Sequence, residues 1–579
     1  MLYSQLKLPA DLHGLSVGDL ERLAEDIRQV ILNTSLKNGG HLGASLGAVE
    51  IALGLHATFK SPEEPIVWDV GHQAYAHKLI TGRWLQFETL RKTGGISGFL
   101  SRMESEHDVF GAGHSSTALS AALAMAWARG HDPKLSHLWT VAVVGDGGLT
   151  AGVALEALNN VRAQGMGPLL LVLNDNQMSI SPNVGAIPAI LAGGQGKELF
   201  NLFGFDYVGP INGHDLNTLL STLQGIRQSR SGRPVLLHVL TQKGKGYIPA
   251  EERPAAYHGV SPIQAKVGEP ASGGTKKSYS DVFGETVCSL AAEDPMVVVV
   301  TAAMTEGTGL VGFAERFPDR FFDVGIAEPH AVTFAAGLAT QGYKPIVAIY
   351  STFLQRALDG IIHDVALQNL GVTFAVDRAG IVGADGPTHH GAFDLGYLGM
   401  IPGLNLSGAC CLADMNTLFK SAVNSGKPWA IRYPRGSGPE KFNEPHGNGL
   451  RWHQKPSDPR LIVVAFGSTA GRVVAAAKSI DSTSEKITVI STTQAQPLSA
   501  DLLDYLKKNL DVPVISFEDG SVRGGFGQAL IAKSEIRSAP FIAAGYSDQF
   551  IPHGSPADLE EVVGLSQSAI ANRMREFLR

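Results

Sequence analysis

The chain has 579 residues, of which 44% are hydrophobic and 17% charged, and its formal net charge is −7 at pH 7 with a pI near 6.3. This composition excludes a disordered or fibrous protein, and the absence of a basic run argues against nucleic acid as the main partner. The length exceeds what one hydrophobic core supports, so we expect several domains of about 100–250 residues each.

The cysteine content and the apolar runs indicate the cellular setting. The three cysteines, Cys288, Cys410 and Cys411, are too few for a disulfide framework, which favours a reducing, cytoplasmic environment. Residues 1–16 lack a charged leader followed by an apolar core, and apolar runs such as Pro295 to Met304 are too short to span a bilayer. We therefore expect no membrane segment and small molecules as partners.

The chain alternates apolar helical stretches with short β-branched runs. In the first part, the helical stretch 118–128 lies among strand-like runs at 140–144, 169–173 and 235–240, which predicts a parallel sheet covered by helices. A Pro/Gly/Ser/Ala-rich segment at 254–277 precedes a second series. A second linker, GSGPEKFNEPHGNG (436–449), precedes a third series that opens with LIVVAFGS (461–468). The predicted architecture is three α/β domains with mainly parallel sheets, at 1–270, 278–440 and 455–579.

Three early segments each place a histidine beside Gly or Ser where a helix is predicted to begin. They are GGHLGASLGAVEI (39–51), DVGHQAYAHKLITGR (69–83) and GAGHSSTALSAALAMA (111–126). Backbone amides and an imidazole at such positions can meet an anion. A loop histidine is also commonly a hydrogen-bonded scaffold residue, so both interpretations stay open.

Two predicted strands end in oxygen-bearing side chains. TVAVVGDGGLTAGVALEALNN places Asp146 at the carboxyl end of a strand, where ligands bind in open α/β sheets. Asn176 follows 30 residues later, after the apolar run LLLVL. Mg²⁺ prefers oxygen ligands and completes its shell with phosphate and water. The glycines beside Asp146 let the backbone approach a diphosphate, although a lone Gly-Asp-Gly also fits a tight turn.

These paired motifs resemble the thiamine-diphosphate site of the 1-deoxy-D-xylulose-5-phosphate synthase family, whose members are transketolase-like enzymes. The resemblance implies thiamine diphosphate and Mg²⁺ as cofactors, with Asp146, Asn176 and the main-chain carbonyl of Met178 as metal ligands. It places Gly147 and Gly148 close to the diphosphate.

The same resemblance extends to other cofactor contacts. It implies that His41 faces the thiazolium and substrate, that His72 contacts the diphosphate region, and that Gly113, His114 and Ser115 line the cofactor. The segment TQKGKGYIPAEERPAAYHG then implies Lys243 near the diphosphate and His258 over the reacting carbons. On composition alone, KGKG fits a solvated basic loop equally well.

FFDVGIAEPHAVTFAAGLA (321–339) sets Glu328 between an apolar strand and an apolar helix. A buried carboxyl keeps its proton more readily, as required of a group that holds N1′ of the cofactor's aminopyrimidine. Capping of the following helix is the alternative. By resemblance Glu328 is the activating acid, and Phe353 stacks on the pyrimidine ring.

A phosphorylated aldehyde needs cations that hold its phosphate. The segments IYSTFLQRALDGIIHDVALQ, DRAGIVGADGPTHHG and RYPRG resemble the acceptor-binding motifs of the family. The implied phosphate ligands are Tyr350, Arg356, Arg378 and Arg435. Asp385 and His389 are implied to bond the acceptor hydroxyl and the new carbinol and to relay protons.

The implied reaction condenses pyruvate with D-glyceraldehyde 3-phosphate, releases carbon dioxide and forms 1-deoxy-D-xylulose 5-phosphate, a precursor for isoprenoid, thiamine and pyridoxal biosynthesis. A homodimer is implied as well.

The chain departs from the family pattern at Pro329, Leu358 and Gly360, where Gln, Tyr and Gln are usual. Its segment LAGGQGKELF (191–200) is short, and the resemblance is looser beyond about 440. Two alternatives therefore stay open: a transketolase-like enzyme with another donor or acceptor, and a catalytically silent homologue.

Overall fold

The chain divides into two units with separate hydrophobic cores. The structure is a computed structural model that describes residues 5–161, 166–179, 182–229, 232–262, 276–442, 449–480 and 486–578. The first unit comprises Met1–Ser272 with Gly325–Ala327, and the second comprises Gly273–Val324 with Glu328–Arg579.

The first unit is built on a five-stranded, fully parallel sheet in the order β1-β2-β3-β5-β4. Its strands are β1 (Ile66–Trp68), β2 (Thr140–Gly145), β3 (Leu169–Asp175), β4 (Asp206–Asn212) and β5 (Val235–Leu240). Alternate residues of β2 face opposite sides, since Val141 and Val143 belong to one core cluster and Ala142 and Val144 to another. Both faces of the sheet are therefore covered, as parallel sheets require.

Helices supply these two covering layers. They are α1 (Val17–Asn38), α2 (Leu42–Gly47), α3 (Val49–Thr58), α4 (Tyr75–Lys78), α5 (Ala118–Gly130), α6 (Gly152–Asn159), α7 (Ala186–Ala192), α8 (Gly196–Phe203), α9 (Leu216–Gln228) and α10 (Ile248–Glu252). Side chains cap two of the longer helices, because Ser16 accepts from the amide of Asp19 and Asp215 accepts from the amides of Asn217 and Thr218.

The second unit contains two sheets. The seven-stranded sheet has the order β15-β10-β11-β9-β8-β6-β7, and the five-stranded sheet has the order β12-β14-β13-β16-β17. The strands are β6 (Val297–Thr301), β7 (Phe321–Asp323), β8 (Lys344–Tyr350), β9 (Thr373–Asp377), β10 (Asn405–Gly408), β11 (Trp429–Arg432), β12 (Leu450–Gln454), β13 (Leu461–Phe466), β14 (Ile487–Thr492), β15 (Gln494–Gln496), β16 (Val514–Ser521) and β17 (Phe541–Tyr546). Two pairs among these strands are antiparallel, β12 with β14 and β15 with β10, and the other pairs are parallel.

The helices of the second unit flank both sheets. They are α11 (Tyr279–Glu293), α12 (Val311–Arg316), α13 (Glu328–Thr340), α14 (Ser351–Leu354), α15 (Leu358–Gly360), α16 (Asp394–Gly399), α17 (Leu412–Ser425), α18 (Ala470–Lys478), α19 (Ala500–Lys507), α20 (Phe526–Lys533), α21 (Pro556–Val562) and α22 (Gln567–Leu578). Val300 and Val347 of the seven-stranded sheet share a core cluster with Ile462 and Val464 of the other sheet.

The predicted α/β class with mainly parallel sheets is confirmed. The predicted apolar helix 118–128 lies within α5, and the predicted strand 235–240 is β5. The three predicted domain boundaries stay predictions, and parts of both predicted linkers, 263–275 and 443–448, lie outside the described residues. Within the described ranges, no helix is both long and apolar enough to cross a membrane.

A buried ion cluster joins the two sheets of the second unit, and its removal should cost stability. The guanidinium of Arg432 donates to Asp394 at 3.1 Å and also to Asp519. Arg432→Met leaves two carboxylates buried without their cation, so we expect a loss of about 3–5 kcal/mol of folding free energy. The readout is the denaturant midpoint of the second unit's unfolding transition.

The matched control for this change is an exposed pair. Arg523 donates to Asp548 at 2.7 Å, with both side chains more than three-quarters exposed. Arg523→Met should cost less than about 1 kcal/mol. Equal effects of the two substitutions would contradict a stabilising role for the buried cluster.

Candidate functional site

The two oxygen-bearing motifs of the first unit lie at adjacent strand ends. Parallel pairing of β2 with β3 sets Gly145 opposite Asn174. The amide of Asp146 donates to the carbonyl of Asn174 at 3.2 Å. A Cβ at Gly147 would lie 3.0 Å from Ser179, so the glycine allows the two loops to pack closely. The sheet therefore brings the two predicted motifs together.

Asp146 has the environment of a cation ligand. Its side chain is buried, Oδ1 accepts from the amide of Gly147 at 3.0 Å, and Oδ2 has no hydrogen-bond partner among the described residues. Burial and the neighbouring carboxylate of Asp175 raise the pKa of Asp146 to about 8. A buried carboxyl oxygen without a donor is a position that a bound cation would satisfy.

The second strand end supplies the other two predicted metal ligands. Asn176 and Met178 lie in one turn, in which the side-chain oxygen of Asn176 accepts from the amide of Met178 at 3.1 Å. One carboxylate, one amide oxygen and one carbonyl form a donor set that suits Mg²⁺. Within the described part of the chain, no three His, Cys, Asp or Glu side chains gather as a metal cage, and the predicted donor set contains no such triad.

Three predicted histidines form one cluster in the first unit. The ring of His258 lies 5.7 Å from that of His41 and 5.5 Å from that of His72, centroid to centroid. Burial, aided by His41 and Lys243, lowers the pKa of His72 to about 3, so this imidazole is neutral at pH 7. The buried ammonium of Lys243 donates to the carbonyl of Ser179 at 2.6 Å, beside the turn that carries Met178.

The loop Gly113-His114-Ser115 precedes α5 and is anchored by a residue that the sequence motifs did not identify. The carboxylate of Asp69, just after β1, accepts from the amides of Ser116 and Ala118 at 2.8 and 3.2 Å. A Cβ at Gly148 would lie 2.7 Å from the same carboxylate. Asp69 thus ties this loop to Gly148. Its place directly before Val-Gly-His at a strand end is the signal that could have identified it.

In the second unit, Glu328 is the first residue of α13 and is 3% exposed. Burial raises its pKa, and the guanidinium of Arg356, 3.8 Å away, partly offsets this effect. The environment is therefore one that retains a proton on the carboxyl, as the sequence predicts for an activating acid. Arg356, which is predicted to bind the acceptor phosphate, forms this ion pair with Glu328, and its phosphate role stays a prediction.

The three departures from the family pattern do not disturb α13. Pro329 is the second residue of this helix, where the backbone amide lacks an intrahelical partner in any case. A Cβ at Gly360 would lie 3.3 Å from Val332 of α13, and Leu358 packs against the core. The loss of a backbone donor at Pro329 is therefore harmless to the helix that positions Glu328.

The predicted acceptor residues form a second cluster in this unit. The rings of Tyr350 and Phe353 stack at 5.8 Å, and His389 meets Phe353 edge-on at 5.5 Å. The guanidinium of Arg378 lies 3.7 Å from the centre of the Tyr350 ring and donates to the carbonyl of Gly307 at 2.8 Å. The structure thus brings an aromatic wall and a cation together.

Arg435 and Asp385 belong to the same cluster. Arg435 lies 3.8 Å from the carboxylate of Asp385, and both residues influence the pKa of Tyr350, which burial raises. Five of the predicted acceptor and proton-relay residues, together with Phe353, are therefore neighbours.

Three family profiles together match most of the chain. A family profile described as 1-deoxy-D-xylulose-5-phosphate synthase matches residues 3–198 and 192–241, and profiles for the transketolase pyrimidine-binding and C-terminal domains match 275–441 and 451–570. These matches confirm the predicted transketolase-like fold.

Curated relatives are similar over nearly their full length. The 1-deoxy-D-xylulose-5-phosphate synthase of Paraburkholderia xenovorans (strain LB400) is 44% identical, with 99% of this chain and 97% of that protein covered. The 1-deoxy-D-xylulose-5-phosphate synthase 2 of Geobacter sulfurreducens is 43% identical, with 98% of each chain covered. A solved transketolase from Campylobacter jejuni is 18% identical, covers 97% of this chain and 100% of that chain, and has a TM-score of 0.47.

This chain lacks a segment that its relatives contain. The alignment with the Paraburkholderia protein spans 629 positions, 50 more than the 579 residues of this chain. The first family profile aligns in two pieces that overlap at 192–198, within the short segment LAGGQGKELF (191–200). In the structure only Gly193, Gly194 and Gln195 join α7 to α8.

The buried carboxyl of Glu328 should make stability depend on pH. Because its pKa is raised above the ordinary value of 4.5, its contribution to stability is full below pH 4.5 and is lost as the pH rises through the folded-state pKa. We expect Glu328→Gln to have the same melting temperature as the wild type near pH 4 and a higher melting temperature near pH 8. Calorimetric melting temperatures measure the difference. The same substitution at exposed Glu315 should give no such divergence, and a parallel shift in both variants would contradict the assignment.

Proposed function

The chain belongs to the 1-deoxy-D-xylulose-5-phosphate synthase family, and from this premise we propose that it condenses pyruvate with D-glyceraldehyde 3-phosphate to form 1-deoxy-D-xylulose 5-phosphate and carbon dioxide. The observation that supports the proposal most strongly is 44% identity across 99% of the chain to a curated synthase. The product would serve isoprenoid, thiamine and pyridoxal biosynthesis. A homodimer and a cytoplasmic location are part of the same proposal.

Residues of the first unit would hold the diphosphate end of thiamine diphosphate and its Mg²⁺. The buried Oδ2 of Asp146, which has no hydrogen-bond partner in the described part of the chain, supports a cation there, with Asn176 and the carbonyl of Met178 as the other ligands. The buried ammonium of Lys243 supplies positive charge close to this turn. When bound, the cofactor supplies a carbon nucleophile and an electron sink for the decarboxylation.

Glu328 would act on the aminopyrimidine end of the cofactor. Its burial at the start of α13 favours the protonated carboxyl, which can share its hydrogen with a ring nitrogen. Phe353 offers an aromatic face in the same unit for ring stacking. His41 and His258 would lie near the thiazolium and the reacting carbons, and the neutral imidazole of His72 would contact the diphosphate region without adding charge.

The acceptor phosphate would bind the cationic part of the Tyr350 cluster. Arg378 and Arg435 supply the charge there, and Tyr350 supplies a hydroxyl. Asp385 and His389, which adjoin this cluster, would bond the acceptor hydroxyl and the new carbinol and relay protons during addition.

The reaction itself is testable with carboxyl-labelled pyruvate. The wild type, supplied with thiamine diphosphate and Mg²⁺, should release labelled carbon dioxide and form the deoxysugar phosphate when glyceraldehyde 3-phosphate is added. Glu328→Gln should slow turnover about 10²- to 10⁴-fold, the range for a positioned acid-base group. Glu315→Gln serves as the control. Release of carbon dioxide without formation of the deoxysugar phosphate would overturn the proposed reaction. Near-normal turnover of Glu328→Gln would overturn the assignment of Glu328 as the activating acid.

We expect Arg378 to contribute to binding of the acceptor's phosphate group and not to binding of its aldehyde group. Loss of a charge-assisted contact in Arg378→Met should raise the half-saturating concentration of glyceraldehyde 3-phosphate about 10- to 100-fold. The half-saturating concentration of unphosphorylated D-glyceraldehyde should change little by comparison. Steady-state kinetics with both aldehydes measure the two values. Equal losses for the two aldehydes would show that Arg378 does not read the phosphate. Arg523→Met, at an exposed ion pair, is the matched control.

A further inference from the structure

A strained residue separates the two predicted metal ligands of the second strand end. Gln177, between Asn176 and Met178, has a φ of 63°. This value lies in the left-handed region, which residues other than glycine and asparagine rarely adopt. Such a conformation persists only where neighbouring groups hold it. The directions of the Asn176 side chain and the Met178 carbonyl both depend on this turn.

Asp175, which no sequence motif assigned a role, holds the turn. Its Oδ1 accepts from the amide of Gln177 at 3.1 Å, and its Oδ2 accepts from Nε2 of His238 at 2.8 Å. The same carboxylate also neighbours the side chain of Asp146. One side chain thus contacts the strained amide and lies beside the predicted carboxylate ligand.

His238 and Tyr207 extend this contact across the sheet. Nδ1 of His238 lies 2.7 Å from the hydroxyl of Tyr207, and the imidazole is buried. Nε2 of His238 donates to the carboxylate of Asp175, since a carboxylate only accepts hydrogen bonds, and Nδ1 shares a hydrogen bond with the tyrosine hydroxyl. Asp175, His238 and Tyr207 lie on the adjacent strands β3, β5 and β4, which aligns them.

The outer end of this chain of hydrogen bonds rests on α8. The ring of Tyr207 stacks on Phe200 of that helix with an interplanar angle of 8° and a centroid distance of 6.3 Å. A Cβ at Gly196, the first residue of α8, would lie 3.4 Å from the tyrosine hydroxyl. The short connection between α7 and α8 therefore ends against Tyr207.

We propose that Tyr207, His238 and Asp175 form a positioning relay that holds the left-handed turn at Gln177 and so aims Asn176 and Met178 at Mg²⁺. The proposal rests on the metal site of the proposed function and adds three residues to it. None of the three needs to touch the cofactor or the substrates. Groups that orient metal ligands typically change metal affinity about 10- to 100-fold when removed.

The test measures Mg²⁺ binding directly. Metal-free protein saturated with thiamine diphosphate is titrated with MgCl2 in a calorimeter, so the readout is a dissociation constant and not turnover. His238→Leu removes the donor to Asp175 and should weaken binding about 10- to 100-fold. His238→Gln keeps an amide donor and should lose less, and Tyr207→Phe, which removes only a hydroxyl, should also weaken binding.

A second substitution separates positioning from general damage. Gln177→Gly removes the cost of the left-handed conformation, so in the His238→Leu background it should recover part of the lost affinity. His131→Leu, at an exposed histidine on the end of α5, should bind as the wild type does. Melting temperatures of all variants show whether each one folds.

The outcomes distinguish this relay from the proposed function. If the wild type binds no Mg²⁺ in the presence of the cofactor, the metal site and the relay both fall. If the wild type binds Mg²⁺ and folded His238→Leu binds it equally well, the relay alone is overturned. Weaker binding by His238→Leu that Gln177→Gly does not restore would likewise overturn the positioning role.

Discussion

The parallel pairing of β2 with β3 is the constraint on which the diphosphate half of the site depends. Direct pairing of Gly145 with Asn174 fixes the two strand ends side by side before any side chain is considered. Glycine at 147 then permits the following loops to touch, and Asp146 is left with one buried oxygen that no described residue satisfies with a hydrogen bond. A carboxylate that is costly to bury alone is less costly to bury beside a cation.

The second unit meets a comparable cost at Glu328. Burying this carboxyl raises its pKa and disfavours the ionised form, while α13 and the side chain of Arg356 limit the penalty. The proline after Glu328 fits because the first turn of a helix requires no donor at that position. Pro329 is one of the three departures that leave a silent homologue open, and the intact helix weakens that alternative.

Local patterns predicted much of this architecture. Runs of β-branched and aliphatic residues identify β2, β3 and β5, and the oxygen-bearing residues that follow β2 and β3 identify the metal motif. The sequence patterns did not identify Asp175, because an aspartate between two asparagines is typical of an ordinary loop. Its partners, His238 and Tyr207, are 63 and 32 positions away in the sequence. Only the order of strands across the sheet makes them neighbours, and no local pattern encodes that order.

The shortened connection between α7 and α8 shows what can be lost from this fold. A long segment between two helices can be removed where the helix ends already lie close together, since loop length itself has only a small effect on stability. The remaining chain must still turn sharply, which Gly194 does with a φ of 74°, and must approach Tyr207 closely, which Gly196 allows. The two glycines therefore meet different requirements. The first serves the turn, and the second preserves the packing that holds Tyr207, His238 and Asp175 in line.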